Sequence, residues 1–115
     1  MEDLSIVGVK GTAIGQVFLA RNCQVDFCIG TGIQAEQVYD SRATHCGSTA
    51  ILASTAVNSF GECLKNGNGI EATTATGCYG VSVSGNGLAA ENATNCKGIS
   101  ISGAANTSGL AAQTA

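Results

Sequence analysis

Apolar and small residues return along this chain at a nearly constant interval. The clearest unit runs from 69 to 86, GIEATTATGCYGVSVSGN, and residues 87–103, GLAAENATNCKGISISG, are a close copy. A third start stands at Gly109-Leu110-Ala111-Ala112. With the first alanine of each unit as anchor, one column reads Val17, Ala35, Ala53, Ala72, Ala90 and Ala112, in steps of 18, 18, 19, 18 and 22 residues. Two positions earlier stand Ile33, Ile51, Ile70, Leu88 and Leu110. Three positions later stand Ala20, Val38, Ala56, Ala75, Ala93 and Ala115, and six later Cys23, Ser41, Ser59, Cys78 and Cys96. Such a period is too short for helix-pair repeats, which need ~33 residues, and suits one coil of a parallel β-solenoid. Val81-Ser82-Val83-Ser84 and Ile99-Ser100-Ile101-Ser102 alternate with the period of a strand. That alternation predicts outward serine columns at Ser82/Ser100 and Ser84/Ser102. Gly85-Asn86-Gly87 and Asn66-Gly67-Asn68-Gly69 read as sharp corners at positive φ. A helix with alanines every third position is disfavoured by the intervening Thr and Gly.

The predicted fold class is all-β: a single-stranded parallel β-helix of one domain, three-sided, right-handed, with five to six coils. Coils ~4.8 Å apart make a rod of roughly 25–30 Å. Like side chains then form ladders, and each coil depends on its neighbours for burial. Residues 1–13 read as a partial coil or cap: Val7 and Val9 lie 18 before Val25 and Phe27, and residues 1–5 could close the end. Residues 14–115 carry the repeats, and 104–108 form an inserted bulge. The C-terminal end reads as uncapped, and a piece of a longer solenoid is favoured over an edge completed by another chain.

Composition narrows the function. Of 115 residues, 44% are hydrophobic but only 4% aromatic and 11% charged, with 16 Gly and no Pro. The low charge argues against disorder and against a coiled coil. Five basic against eight acidic residues leave a net charge of −3 and no polycation for nucleic acid. No apolar run approaches the ~18 residues of a membrane span, so no membrane insertion is expected. Residues 1–14 lack the basic start and apolar stretch of a signal peptide.

Candidate chemistry is sparse. Cys23, Cys78 and Cys96 share one column; Cys28, Cys46 and Cys63 follow a second. With no C-x-x-C pair and a single His, zinc is not expected, nor any cofactor. Free buried thiols are the favoured reading. His45 next to Cys46 would point to the opposite face of a strand, which disfavours a Cys–His nucleophile. Asp26 and Glu62, two coils apart at ~9.6 Å, would be at the upper limit for an inverting acid/base pair. Without flanking cations or a sugar platform they read as solvated acids. Tyr39 and Tyr79 read as lacking aromatic neighbours in their columns, and a flat ice-binding face would need a longer Thr array. Two sequons begin at Asn92 and Asn106.

The unit G-[IL]-x-A-x-x-A-x-x-C-x-G-x-S-x-S-G resembles the Cys-containing β-solenoid repeats of large bacterial surface or secreted proteins. Ala72, Ala75, Cys78, Tyr79 and Gly80, then Ala90, Ala93, Asn95, Cys96 and Gly98, carry the match. The resemblance covers 69–115 most specifically; over 14–68, Ser41 and Ser59 replace Cys. It departs from the hexapeptide solenoid of acyltransferases, because six after Ile70 and Leu88 stand Thr76 and Thr94. It implies a structural or adhesive, extracellular or cell-surface protein with no catalytic residue. The expected partner is the protein itself, or the rest of a longer solenoid, through end-to-end edge pairing. The alternative is a carbohydrate-binding or polysaccharide-cleaving β-helix with a glycan partner.

Overall fold

A computed structural model describes residues 5–65, 67–101 and 110–114, with the strands in two parallel sheets. In chain order they are β1 (Ser5–Val9), β2 (Ile14–Arg21), β3 (Gln24–Cys28), β4 (Ile33–Tyr39), β5 (Arg42–Cys46) and β6 (Ile51–Val57). There follow β7 (Phe60–Cys63), β8 (Ile70–Thr76), β9 (Tyr79–Ser82), β10 (Leu88–Thr94), β11 (Lys97–Ser100) and β12 (Leu110–Thr114). Even-numbered strands stack in order as one sheet and odd-numbered strands as the other. The chain therefore climbs a β-solenoid of about five coils. Of the three sides expected, two are sheets and the third is a run of turns. That third side also bonds from coil to coil, as in Ile51 N–H to Gly69 O (3.1 Å) and Ile70 N–H to Gly87 O (3.0 Å).

Register brings like residues over like. Ile14, Ile33, Ile51, Ile70, Leu88 and Leu110 are successive partners, as are Val17, Ala35, Ala53, Ala72, Ala90 and Ala112. Ile14, Ile33, Ile51, Ile70 and Leu88 are all buried, and removing such side chains from water is worth about 1.5–3 kcal/mol each. Ile14 joins this ladder only because β2 holds one surplus residue between Ile14 and Val17. The same shift corrects the N-terminal register. Ile6, not Val7, stands below Val25, and Val9 lies below Cys28. Ser5 opens β1, while the rest of the expected cap and the insertion at 104–108 lie outside the described residues.

The sharp corner lies between the two sheets rather than at residues 67–69 or 85–87, while Asn66 lies outside the described residues. Asn22, Asp40, Asn58, Gly77 and Asn95 have φ of 54, 49, 49, 62 and 52°. Asn, Asp and Gly tolerate this left-handed backbone best. Each is followed by a residue of the Cys/Ser column, and at Ser41, Ser59 and Cys96 the side chain works twice. Ser41 Oγ donates to Tyr39 O (2.8 Å) and accepts from Cys23 N–H (3.1 Å). Ser59 Oγ donates to Val57 O (2.9 Å) and accepts from Ser41 N–H (3.3 Å). Cys96 Sγ donates to Thr94 O (3.2 Å) and accepts from Cys78 N–H (3.5 Å). Serine and cysteine alternate freely here because both carry a donor–acceptor group at the same reach.

The outward serine column at Ser82/Ser100 is not formed, and Ser102 of the second expected column lies outside the described residues. β9 ends at Ser82, so Val83 and Ser84 lie in bends, and Ser82 itself is fully buried. Its hydroxyl donates to Gly67 O (2.6 Å) and accepts from Gly85 N–H (2.8 Å). Gly80 and Ser82 take the inward positions, in register with Gly61 and Cys63, and half-exposed Val81 points outward. Gly80 can face inward because the bore is very narrow there: a Cβ at Gly80 would run into the carbonyl oxygen of Gly87 on the opposite wall.

Candidate functional site

The odd-numbered sheet carries the outward chemistry, and its origin is a surplus residue. Two residues separate Ala43 from Cys46 where Glu62 alone separates Gly61 from Cys63. β1 and β3 match β5 in this respect. The surplus residues are Gly8, Phe27 and His45, stacked in consecutive coils with φ of 76, 59 and 54°. Left-handed backbone costs Phe or His roughly 1–2 kcal/mol each, and such strain clusters at functional sites. The two rings stack on one another, centroids 4.6 Å apart and planes at 22°.

Charged groups gather around this stack. His45 Nδ1 lies 2.9 Å from Asp26 Oδ1 and 3.8 Å from Glu62 Oε1. The His45 N–H donates to Glu62 (3.4 Å), and the Thr44 hydroxyl donates to Asp26 (2.8 Å). The Thr44 hydroxyl, then the His45 imidazole, hold the Asp26 carboxyl below its ordinary value against the opposing effect of burial. Two oxygens that close to one nitrogen cannot stand the ~9.6 Å apart that coil spacing alone implies. They reach toward the intervening coil, and the imidazole fills the gap where an inverting hydrolase would place water. The bland expectation of two independent solvated acids is therefore corrected to one three-residue cluster.

The apolar rim consists of Phe27, Ile29 and Leu64, which are 54%, 62% and 43% exposed. Ile29 and Leu64 border a recess of about 160 Å³ together with His45, Cys46 and Lys65.

Beside this cluster runs a second column, missed in the sequence. Arg42, Phe60, Tyr79 and Lys97 are successive register partners. Phe60 and Tyr79 meet edge to face with centroids 5.1 Å apart. Arg42 lies over the Phe60 ring at 5.0 Å and Lys97 over the Tyr79 ring at 5.4 Å. Such contacts contribute about 0.5–1 kcal/mol each at exposed sites. Tyr79 thus does have an aromatic neighbour. The signal was present: the 19-residue step from Ala53 to Ala72 puts Phe60 and Tyr79 at the same distance past their anchors.

All six cysteines are free, five of them buried. Cys28, Cys46 and Cys63 are register partners. Burial first, then the neighbouring Cys28 and Cys63 thiols and the Asp26 charge, push Cys46 up to about 12. Burial likewise raises Cys78. Cys46 is fully buried while His45 is exposed, so the pair cannot form a nucleophile. Among the described residues no group of three His, Cys, Asp or Glu side chains is arranged to hold a metal ion. Half-exposed Cys96 should therefore be alkylated well before the other five, all six reacting after denaturation, as read by mass spectrometry. Two or more thiols labelled at the Cys96 rate in the native protein would contradict this burial.

No family model, curated protein or solved structure matches the chain. The likeness to bacterial surface repeats therefore rests on the motif around Cys78 and Cys96.

Proposed function

We propose that this chain is a structural segment: a stiff, non-catalytic solenoid rod of a surface, fibre or secreted protein that adheres through its stacked coils. One observation supports this above the others. Three inward columns of the even-numbered sheet stay in register from coil to coil, so the sequence is devoted to stacking and each coil is a template for the next. The means of association is coil-on-coil pairing. Among the described residues the outermost strands of each sheet pair on one side only, and a further coil, of a longer polypeptide or of a second copy, adds its backbone there.

Duplicating residues 70–87 directly after Gly87 tests the reading. The longer chain should melt higher, and small-angle scattering should show a rod lengthened by ~4.8 Å at constant cross-section. A lower melting temperature, or growth in width, would overturn it.

A carbohydrate-binding role is the second reading, favoured by the Phe27–His45 stack beside Asp26 and Glu62. An aromatic face and two acceptors suit a sugar ring, whereas the imidazole between the acids disfavours cleavage. Binding on a glycan array that Phe27→Ala abolishes would establish it in place of the first.

A further inference from the structure

Two columns on different sheets match each other in a way that neither needs for its own packing. On the outer face of the odd-numbered sheet the order along the rod is cation, ring, ring, cation: Arg42, Phe60, Tyr79, Lys97. On the even-numbered sheet, the residues that follow the register partners Ala35, Ala53, Ala72 and Ala90 are Glu36, Ser54, Thr73 and Glu91. That order is acid, small, small, acid. In both columns the two charges are three coil steps apart, ~14.4 Å.

Shape agrees with charge. Two open depressions of about 510 and 450 Å³ lie along the Ala35, Ala53, Ala72 and Ala90 column, joined at Leu52 and Ala53. Glu36, Glu71 and Glu91 line them, and no Lys or Arg does. The opposing Phe60–Tyr79 pair is a half-exposed ridge, with its flanking cations already held over the rings. Neither Arg42 nor Lys97 has a carboxylate partner among the described residues.

We infer that the odd-numbered sheet of one copy seats on the even-numbered sheet of a second copy. The Phe60–Tyr79 ridge lies over Ser54 and Thr73 against the alanine groove, with Arg42 facing Glu36 and Lys97 facing Glu91. The occupant is another molecule of this same chain, because charge order, spacing and relief all complement one another. The two faces differ, so the contact is heterologous and repeats sideways into an array or ring. It is distinct from coil-on-coil pairing, which uses backbone edges and no side-chain charge.

Sedimentation velocity on the full chain tests it. Wild type should associate with rising concentration, and more weakly as salt rises from about 50 to 500 mM. The variant Arg42→Glu/Lys97→Glu and the variant Glu36→Lys/Glu91→Lys, each checked for its native circular dichroism, should each self-associate about tenfold or more weakly. An equimolar mixture of the two should regain wild-type strength, since each then meets an opposite charge. A monomeric wild type, salt-insensitive association, or a mixture no stronger than its components would overturn the inference. Association that survives both reversals at growing length and constant width would instead be end-on, leaving the structural proposal standing while removing this one.

Discussion

Gly80→Ala should destabilise the solenoid by about 3 kcal/mol or more, a large effect for one methyl group. The added Cβ collides with the carbonyl oxygen of Gly87, which is backbone and cannot swing aside. That oxygen accepts the Ile70 N–H (3.0 Å), so relieving the clash pulls apart the bond that opens β8. Ile70 is in turn a fully buried rung of the aliphatic ladder, and its displacement is passed to the coils on either side. At roughly 4–8 °C per kcal/mol for a chain of this size, the melting temperature should fall by at least ~12 °C in a circular dichroism melt. Gly11→Ala is the matched control, because a Cβ there meets nothing within 4 Å. Equal melting temperatures for the two variants would show that the walls do not touch at Gly80.

Ala75→Leu should overfill the bore and cost ~1–3 kcal/mol or more. Ala75 is 0% exposed, and its register partners are Ala56 and Ala93, themselves buried. A longer side chain has no exit, since the ladder closes it above and below and the corner closes it to the side. Ala72 is the informative comparison. It belongs to the same strand and is nearly as buried, but it also lines the open groove of the even-numbered sheet. Leucine at 72 has room to lean outward and should cost less than half as much. A melt in which Ala75→Leu is unchanged, or in which the two substitutions are equivalent, would displace Ala75 from the bore.

The legible part of the fold was whatever repeated as a residue type. The aliphatic ladder, the alanine columns and the Cys/Ser corner could be read because an inward position in a narrow bore admits few side chains. What repeats only as backbone was invisible. Gly8, Phe27 and His45 share a left-handed conformation and nothing else, so their column left no compositional trace. The Val81 and Val83 alternation misled for a related reason. Apolar residues were assigned to the inside, whereas a bore this tight takes Gly80 and the self-satisfied hydroxyl of Ser82 instead. At the site, Asp26, Glu62 and His45 had each been singled out separately. Their convergence depends on side chains from three coils leaning toward one level, which no spacing along the chain records.

The unequal steps carry a wider consequence. From Cys46 to Cys63 the chain spends 17 residues, from Ala53 to Ala72 it spends 19, and the strands of both sheets stay paired, the odd-numbered ones across a one-residue shift. Circuit length and height are thus decoupled: additions and deletions swell or pinch the circumference, while altitude is fixed by the hydrogen-bond pitch. Features separated by a whole number of circuits keep their vertical separation however the intervening loops drift. The molecule behaves as a graduated ruler, and marks on two of its faces can stay matched through much sequence change elsewhere.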